Sequence, residues 1–148
     1  MRALIQRVRR AAVRVDEEEI ARIGQGLLIL LGVASADGPG LAERLARRSA
    51  ELRIFEDDDG KMNRSVREVA GEALVVPQFT LYADMTRGRR PGFEAAALPA
   101  PAERAFRDFC ESLELAGVRT HRGRFGATMD VELVNHGPAT FLLELNSA

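Results

Sequence analysis

The chain contains a single cysteine, Cys110, in 148 residues, so an intrachain disulfide framework is excluded and a reducing cytoplasm is the expected compartment. Histidine is limited to His121 and His136, neither at ligand spacing with Cys110 or with carboxylates, so no metal site is expected. Net charge is nearly absent: a formal −1 gives no general affinity for a polyanion, and any nucleic-acid contact has to be local. No apolar run approaches the roughly 18 residues of a membrane span, and Met1–Arg10 breaks its apolar residues with charge, unlike the core of a signal peptide. A Walker loop, a Gly-x-Gly-x-x-Gly turn and a Gly-x-Ser-x-Gly elbow are also missing, so no nucleotide cofactor is implied and nothing local supports a serine nucleophile.

What is present is apolar residues, at 46% of the chain, enough for one domain spanning residues 1–148 without staples. Residues 3–15 and Ile20–Ile23 read as antiparallel strands, and Leu27–Val33, after the Gly24-Gln25-Gly26 turn, as the most buried strand. Asp37-Gly38-Pro39 reads as the start of a helix whose core face carries Leu41, Ala42, Leu45, Ala46, Ser49 and Leu52. Pro99 and Pro101 open a second helix, with Ala102, Ala105, Phe106, Phe109, Cys110 and Leu113 on one face; Cys110 is therefore a core residue rather than a reactive thiol. Leu74–Tyr82, Val118–Arg122, Thr128–Val134 and Ala139–Leu145 complete the strands, while Lys61–Val69 has no clear period. The expected fold is α+β and mainly β: an antiparallel, barrel-like sheet flanked by two helices.

Three segments carry polar groups in places that invite chemistry. Alternation along Leu74–Tyr82 sets Gln78 and Thr80 side by side, and Pro77, which has no N–H, requires a bulge or an edge. Such groups are either satisfied on a solvated face or meet a ligand. Asn135-His136-Gly137-Pro138-Ala139-Thr140 reads as a hairpin loop, in which the Gly-Pro pair also admits a cis bond. Arg87-Gly88-Arg89-Arg90-Pro91-Gly92-Phe93 is a basic turn suited to a phosphate or to solvent. Two further basic clusters, Arg7/Arg9/Arg10/Arg14 and Arg119/His121/Arg122/Arg124, are offset in composition by Glu17–Glu19 and Asp57–Asp59.

Taken in order, Met1–Val8, Gly26-Leu27-Leu28 to Gly32-Val33, Arg53-Ile54-Phe55, Gly60–Asn63, Gln78-Phe79-Thr80-Leu81, Gly88–Pro91 and Asn135-x-Gly137-Pro138-x-Thr140 resemble the D-aminoacyl-tRNA deacylase family over essentially the whole chain. The resemblance implies a cytoplasmic homodimer without metal or cofactor, acting on the 3′ end of aminoacyl-tRNA. It places the site between the Gln78 strand of one subunit and a cis Gly137-Pro138 loop of the other. It further implies that Gln78, Phe79 and Thr80 form the catalytic segment and that Pro77, Phe125 and Met129 shape the pocket. Gly137 and Pro138 would select against L-amino acids, and glycyl-tRNA would also be hydrolysed.

An aminoacyl ester is already reactive, so a positioned water and donors aimed at the oxyanion suffice. One departure stands out: the family's usual Ser-Gln-x-x-Leu reads Pro77-Gln78-Phe79-Thr80-Leu81 here, and proline at that place also occurs in a paralogous animal branch with relaxed chiral selection. The other readings of the same residues are a non-catalytic module that binds the tRNA end and an ordinary serine or cysteine esterase.

Overall fold

The computed structural model describes residues 1–147. Its strands are β1 (Arg2–Val15), β2 (Glu18–Ile23), β3 (Gly26–Gly32), β4 (Phe55–Glu56), β5 (Met62–Arg64), β6 (Glu72–Pro77), β7 (Arg119–Arg122) and β8 (Asp130–Glu144). Two helices, α1 (Leu41–Glu51) and α2 (Pro99–Leu115), and a 3-10 turn at Phe79–Tyr82 complete the chain. The main sheet runs β2-β1-β3-β6-β7, with β8 on the other edge of β1, and curls into a nearly closed, barrel-like form. β1 is long enough to hold β3 along Arg2–Val8 and β2 along Ala11–Val15.

The sheet is mixed rather than antiparallel: β3–β6 and β6–β7 pair parallel. The reason lies in the connections. A parallel neighbour needs a crossover of a dozen or more residues, and α1 with the β4–β5 hairpin supplies one while α2 supplies the other. β3 is covered on both faces, which explains its unbroken apolar run. Leu27, Ile29 and Leu31 enter the core beneath the helices, while Leu28 enters a second core with Val8, Val13, Ile23, Leu74 and Val76.

Both helices lie on the first core. α1 contributes Leu41, Leu45 and Ala46, and α2 contributes Phe106, Phe109, Cys110 and Leu113. Phe109 is fully buried, and truncating such a ring to alanine costs about 3–5 kcal/mol. α1 begins two residues later than Pro39 would suggest, capped by Gly40 at φ 79°. Asp37 is engaged elsewhere: it accepts hydrogen bonds from the Met1 amino group at 2.8 Å and from the Ala34 N–H at 2.7 Å, which fixes Asp37–Pro39 as a loop. The segment without a clear period, 61–69, holds the short β5 and then a turn that buries Val66. Among the described residues, no helix is long and apolar enough to cross a membrane.

β8 departs furthest from expectation. The two strands expected at Thr128–Val134 and Ala139–Leu145 merge into one, Asp130–Glu144, that follows β1, so Asn135–Thr140 is not a hairpin. Gln6 faces Thr140 and Val8 faces Asn135. One residue of β1, Arg7, is therefore opposed by the whole stretch 136–139, which bulges out of the ladder.

Candidate active site

β6 ends at Pro77 for a local reason. The Gln78 N–H bonds the Leu31 carbonyl of β3 at 2.8 Å, so by alternation a residue at 77 would direct its N–H towards β7. Pairing with β7 stops at Val75, and proline, lacking that N–H, loses nothing there. Beyond it the chain does not continue as a strand to Tyr82; it winds into the 3-10 turn. Gln78 and Thr80 still meet, through the turn rather than across a strand face, with Gln78 Nε2 donating to Thr80 Oγ1.

Within the turn, Leu81 N–H bonds the Gln78 carbonyl at 3.2 Å and Ala83 N–H bonds the Thr80 carbonyl at 3.1 Å. The Phe79 and Thr80 N–H groups have no acceptor among the described residues, as expected for the first donors of a helical turn. Two adjacent amides thus remain free beside the Gln78 and Thr80 side chains. The turn sits directly on β3 because Gly32 has no side chain: a Cβ there would lie 2.9 Å from Leu81 Cβ and 3.2 Å from the Gln78 carbonyl oxygen.

An aromatic contact borders this turn, and a basic loop leads into it. Phe79 is 57% exposed and meets Phe93 edge-on, with ring centroids 4.9 Å apart. Phe93 follows a loop tied at its base by paired Asp84 and Gly92 backbone bonds of 2.7 and 2.8 Å. The Thr86 hydroxyl, followed by its N–H, bonds Asp84 and holds that carboxyl below its ordinary range. Arg87, Arg89 and Arg90 occupy the exposed loop and form no ion pair among the described residues. The other basic clusters are partly compensated: Arg14 pairs with Glu19 and Glu132, Arg122 with Glu114, and Arg119 with Glu72.

Pro77 and Met129 converge at Gly123, where a Cβ would lie 3.0 Å from Met129 Sδ and 3.5 Å from Pro77 Cδ. Phe125 is half-buried and packs towards the helices, its ring centroid 6.3 Å from that of Phe106. Cys110 is buried in the helix-side core, and desolvation pushes its thiol up to about 12.

Gly137 and Pro138 lie exposed on the β8 bulge, joined by a cis peptide bond. Beneath them Arg7, only 4% exposed, donates from Nε to the His136 carbonyl at 3.0 Å and from Nη1 to the Ile54 carbonyl at 2.7 Å. Asn135 Nδ2 closes the neck of the bulge, bonding the carbonyls of Arg7 and Ala139 at 3.0 Å each. Arg7 and Asn135 were not singled out as support for this loop from sequence. The signal was available: alternation from Ala3 and Ile5 puts Arg7 on the core face, where a cation needs partners.

The Gln78 turn and the Gly137-Pro138 bulge are far apart in one chain. Register aligns Gln78 with the Arg2 end of β1 and the bulge with Arg7, five residues further along, or about 16 Å at strand rise. No hydrogen bond links them among the described residues.

Fold and site together define a small, mainly β protein whose candidate site is made of main chain and neutral side chains. Known proteins place it within that class. The family model for D-Tyr-tRNA(Tyr) deacylase matches residues 4–144. A D-aminoacyl-tRNA deacylase of Cereibacter sphaeroides is 56% identical, over 97% of this chain and 99% of the relative. One from Syntrophotalea carbinolica is 54% identical over 97% of each. Among solved structures, a c-Myc DNA unwinding element binding protein superposes with a TM-score of 0.92 at 38% identity, covering 99% of this chain and 100% of the other. A probable eukaryotic D-amino acid tRNA deacylase shares the fold, with a TM-score of 0.81 at 18% identity over 97% and 98%. The chain belongs to the D-Tyr-tRNA(Tyr) deacylase family and is a hydrolase of the D-aminoacyl-tRNA deacylase class.

Proposed function

We propose that this single-domain protein acts in the cytoplasm as a homodimeric proofreading enzyme, releasing D-amino acids from the 3′ end of tRNA and also hydrolysing glycyl-tRNA. The observation that carries the reading is the pair of unpaired amides at Phe79 and Thr80, on an exposed turn beside Gln78. Directed at the ester carbonyl, they stabilise the oxyanion as it forms. Gln78 orients the ester or terminal nucleotide, and a water, aided by the neighbouring ribose hydroxyl of the substrate, attacks the carbonyl. The tetrahedral intermediate collapses to free amino acid and a tRNA 3′ hydroxyl. Thr80 Oγ1 already accepts a hydrogen bond from Gln78 and has no base within reach among the described residues, so the reading gives the attack to water rather than to Thr80.

The homodimer follows from the separation of the half-sites. The Gly137-Pro138 bulge of one subunit, entering against the Gln78 turn of a second, completes a site that one chain leaves open. Among the described residues β8 also presents an unpaired outer edge, with Leu142 54% exposed, a surface that a second copy would cover. In the completed site the bulge's main chain lies against the substrate's chiral carbon and excludes an L side chain. Pro77 and Met129, with Phe125 behind them, bound the pocket, and Pro77 supplies no side-chain hydroxyl where the family has serine.

The test is hydrolysis of D- and L-tyrosyl-tRNA by the purified protein, with its mass in solution measured alongside. Release of D-tyrosine far faster than L-tyrosine by a dimer is expected. Binding of both without hydrolysis would establish a tRNA-end binding module instead, and cleavage of simple activated esters lost on removing one Ser or Cys would establish an ordinary esterase.

A further inference from the structure

The 3-10 turn that carries the free amides buries none of its own side chains. Backbone bonds to Leu31 and within the turn set its local shape. Its far end is held by Arg2, the first residue of β1. The Arg2 guanidinium makes three separate contacts: Nε donates to Glu144 at 2.5 Å, Nη1 donates to the Leu81 carbonyl at 2.7 Å, and Cζ lies over the Tyr82 ring, 4.5 Å from its centroid. Only a planar fork meets a carboxylate, a carbonyl and an aromatic face together; a lysine ammonium satisfies one or two of these. Tyr82 is itself packed rather than hydrogen-bonded, its hydroxyl buried without a partner among the described residues.

We infer that Arg2 is a positioning residue for the hydrolytic step, clamping Leu81 and Tyr82 to the Glu144 end of β8 and so fixing the direction of the Phe79 and Thr80 amides. The inference rests on the reading that this turn receives the reacting ester. Arg2 touches no reacting atom in that scheme. Releasing it lets the turn shift on β3, and displacements of about 1 Å in a pre-organised site cost up to about a hundredfold in rate. Because the same strand, β8, carries the Gly137-Pro138 bulge, Arg2 also couples the turn to the element bearing the other half-site.

The sequence supplies a direct spectroscopic reporter. Tyr82 is the only tyrosine and there is no tryptophan, so the long-wavelength part of the near-UV circular dichroism of the substrate-free protein belongs to Tyr82. The experiment compares Arg2→Met, Arg2→Lys, Glu144→Gln and Gln78→Ala with the parent protein, recording that band, the melting temperature, and kcat and KM on D-tyrosyl-tRNA well below the melting range. For Arg2→Met the expected result is an altered Tyr82 band and a fall in kcat of roughly tenfold or more with KM changed less than about twofold. Arg2→Lys should lie between it and the parent. If Arg2→Met does not fold, Arg2→Lys and Glu144→Gln carry the test through the same split between kcat and KM. An unchanged kcat in the folded Arg2 variants, with activity lost in Gln78→Ala, overturns the role of Arg2 and leaves the site assignment standing. Retained activity in both Arg2→Met and Gln78→Ala overturns the site assignment and the inference with it. A loss that tracks only the folded fraction reduces Arg2 to a structural residue and also overturns the proposal.

Discussion

Arg7 and His136 lie 129 residues apart in sequence and are joined by a 3.0 Å hydrogen bond from the Arg7 Nε to the His136 carbonyl. That bond spans the register break between β1 and β8, and with the Arg7–Ile54 bond it fixes the base of the bulge bearing Gly137 and Pro138. A guanidinium this buried with only carbonyl partners among the described residues is costly to desolvate, and the hydrogen bonds that offset the cost are those that hold the bulge.

Replacing Arg7 by Met keeps the stem and removes the donors. Two carbonyls then lose partners, one of them in a buried bond, and each such group costs about 1–3 kcal/mol. The Arg7→Met protein should melt well below the parent. Its D-tyrosyl-tRNA hydrolysis, measured where it is fully folded, should fall much further than that of an equally destabilised core variant such as Phe109→Leu. Equal activities of the two variants would show that the shape of the bulge does not matter to the reaction.

The basic loop gives a prediction in salt. Arg87, Arg89 and Arg90 are exposed and free of ion pairs among the described residues, in the loop that leads into Phe93 of the Phe79–Phe93 pair. Each phosphate contact contributes about 0.7 to 0.9 to the slope of log K against log salt. Neutralising Arg89 and Arg90 together should flatten that slope by between about one and two for tRNA binding. An unchanged slope would move the tRNA footprint to another surface, with Arg9 and Arg10 the next exposed cations.

Alkaline pH tests the core. Burial lifts the Cys110 thiol to about 12 from an ordinary value of 9.0, and the Tyr82 phenol to about 12 from 10.0. Both groups keep their protons in the folded chain at pH values where the unfolded chain releases them. Stability is therefore fully present below pH 9 and declines as pH rises towards 12, by at most about 1.4 kcal/mol per pH unit for Cys110 and by less for the half-buried Tyr82, where solvent screens the effect. Cys110→Ala should remove the part of the decline that starts near pH 9, and thiol reagents should label Cys110 only on unfolding. Rapid labelling of the native protein at neutral pH would contradict the burial of Cys110.

Much of the fold is written in local pattern. Leu27–Leu31 is apolar at every position because both faces of β3 are covered, and Ala102, Phe106, Phe109 and Leu113 mark the face of α2 at helical spacing. The parallel pairing of β6 is not local, since it depends on helical crossovers folding back over one face. At the site, Pro77 announces a break in pairing, yet the winding of Phe79–Tyr82 into a turn depends on Gly32 leaving room on β3. The bulge was least legible. Asn, Gly and Pro signal a reversal, but Arg7 and Asn135 hold the chain on course along β1 through bonds that short-range rules do not see.

Gly137 gives the sharpest test of the proposed chiral gate. Its φ is 131°, a conformation that L residues rarely adopt, and an added Cβ would lie 2.9 Å from both the Ala139 nitrogen and Arg7 Nη2. A substitution in an ordinary surface loop changes stability by about 0.5 kcal/mol or less, whereas backbone strain of this kind costs about 1–3 kcal/mol. Gly137→Ala should therefore lower the melting temperature more than its exposure suggests. If the bulge bounds the substrate's chiral carbon, the same change also displaces the main chain there, so D-tyrosyl-tRNA hydrolysis falls sharply or the ratio of D to L rates shifts. Stability and selectivity separate when rates are measured on folded protein: strain alone lowers the melting point and leaves both the D rate and the ratio intact. That outcome would remove Gly137 and Pro138 from the substrate site and leave the bulge as a structural feature of β8.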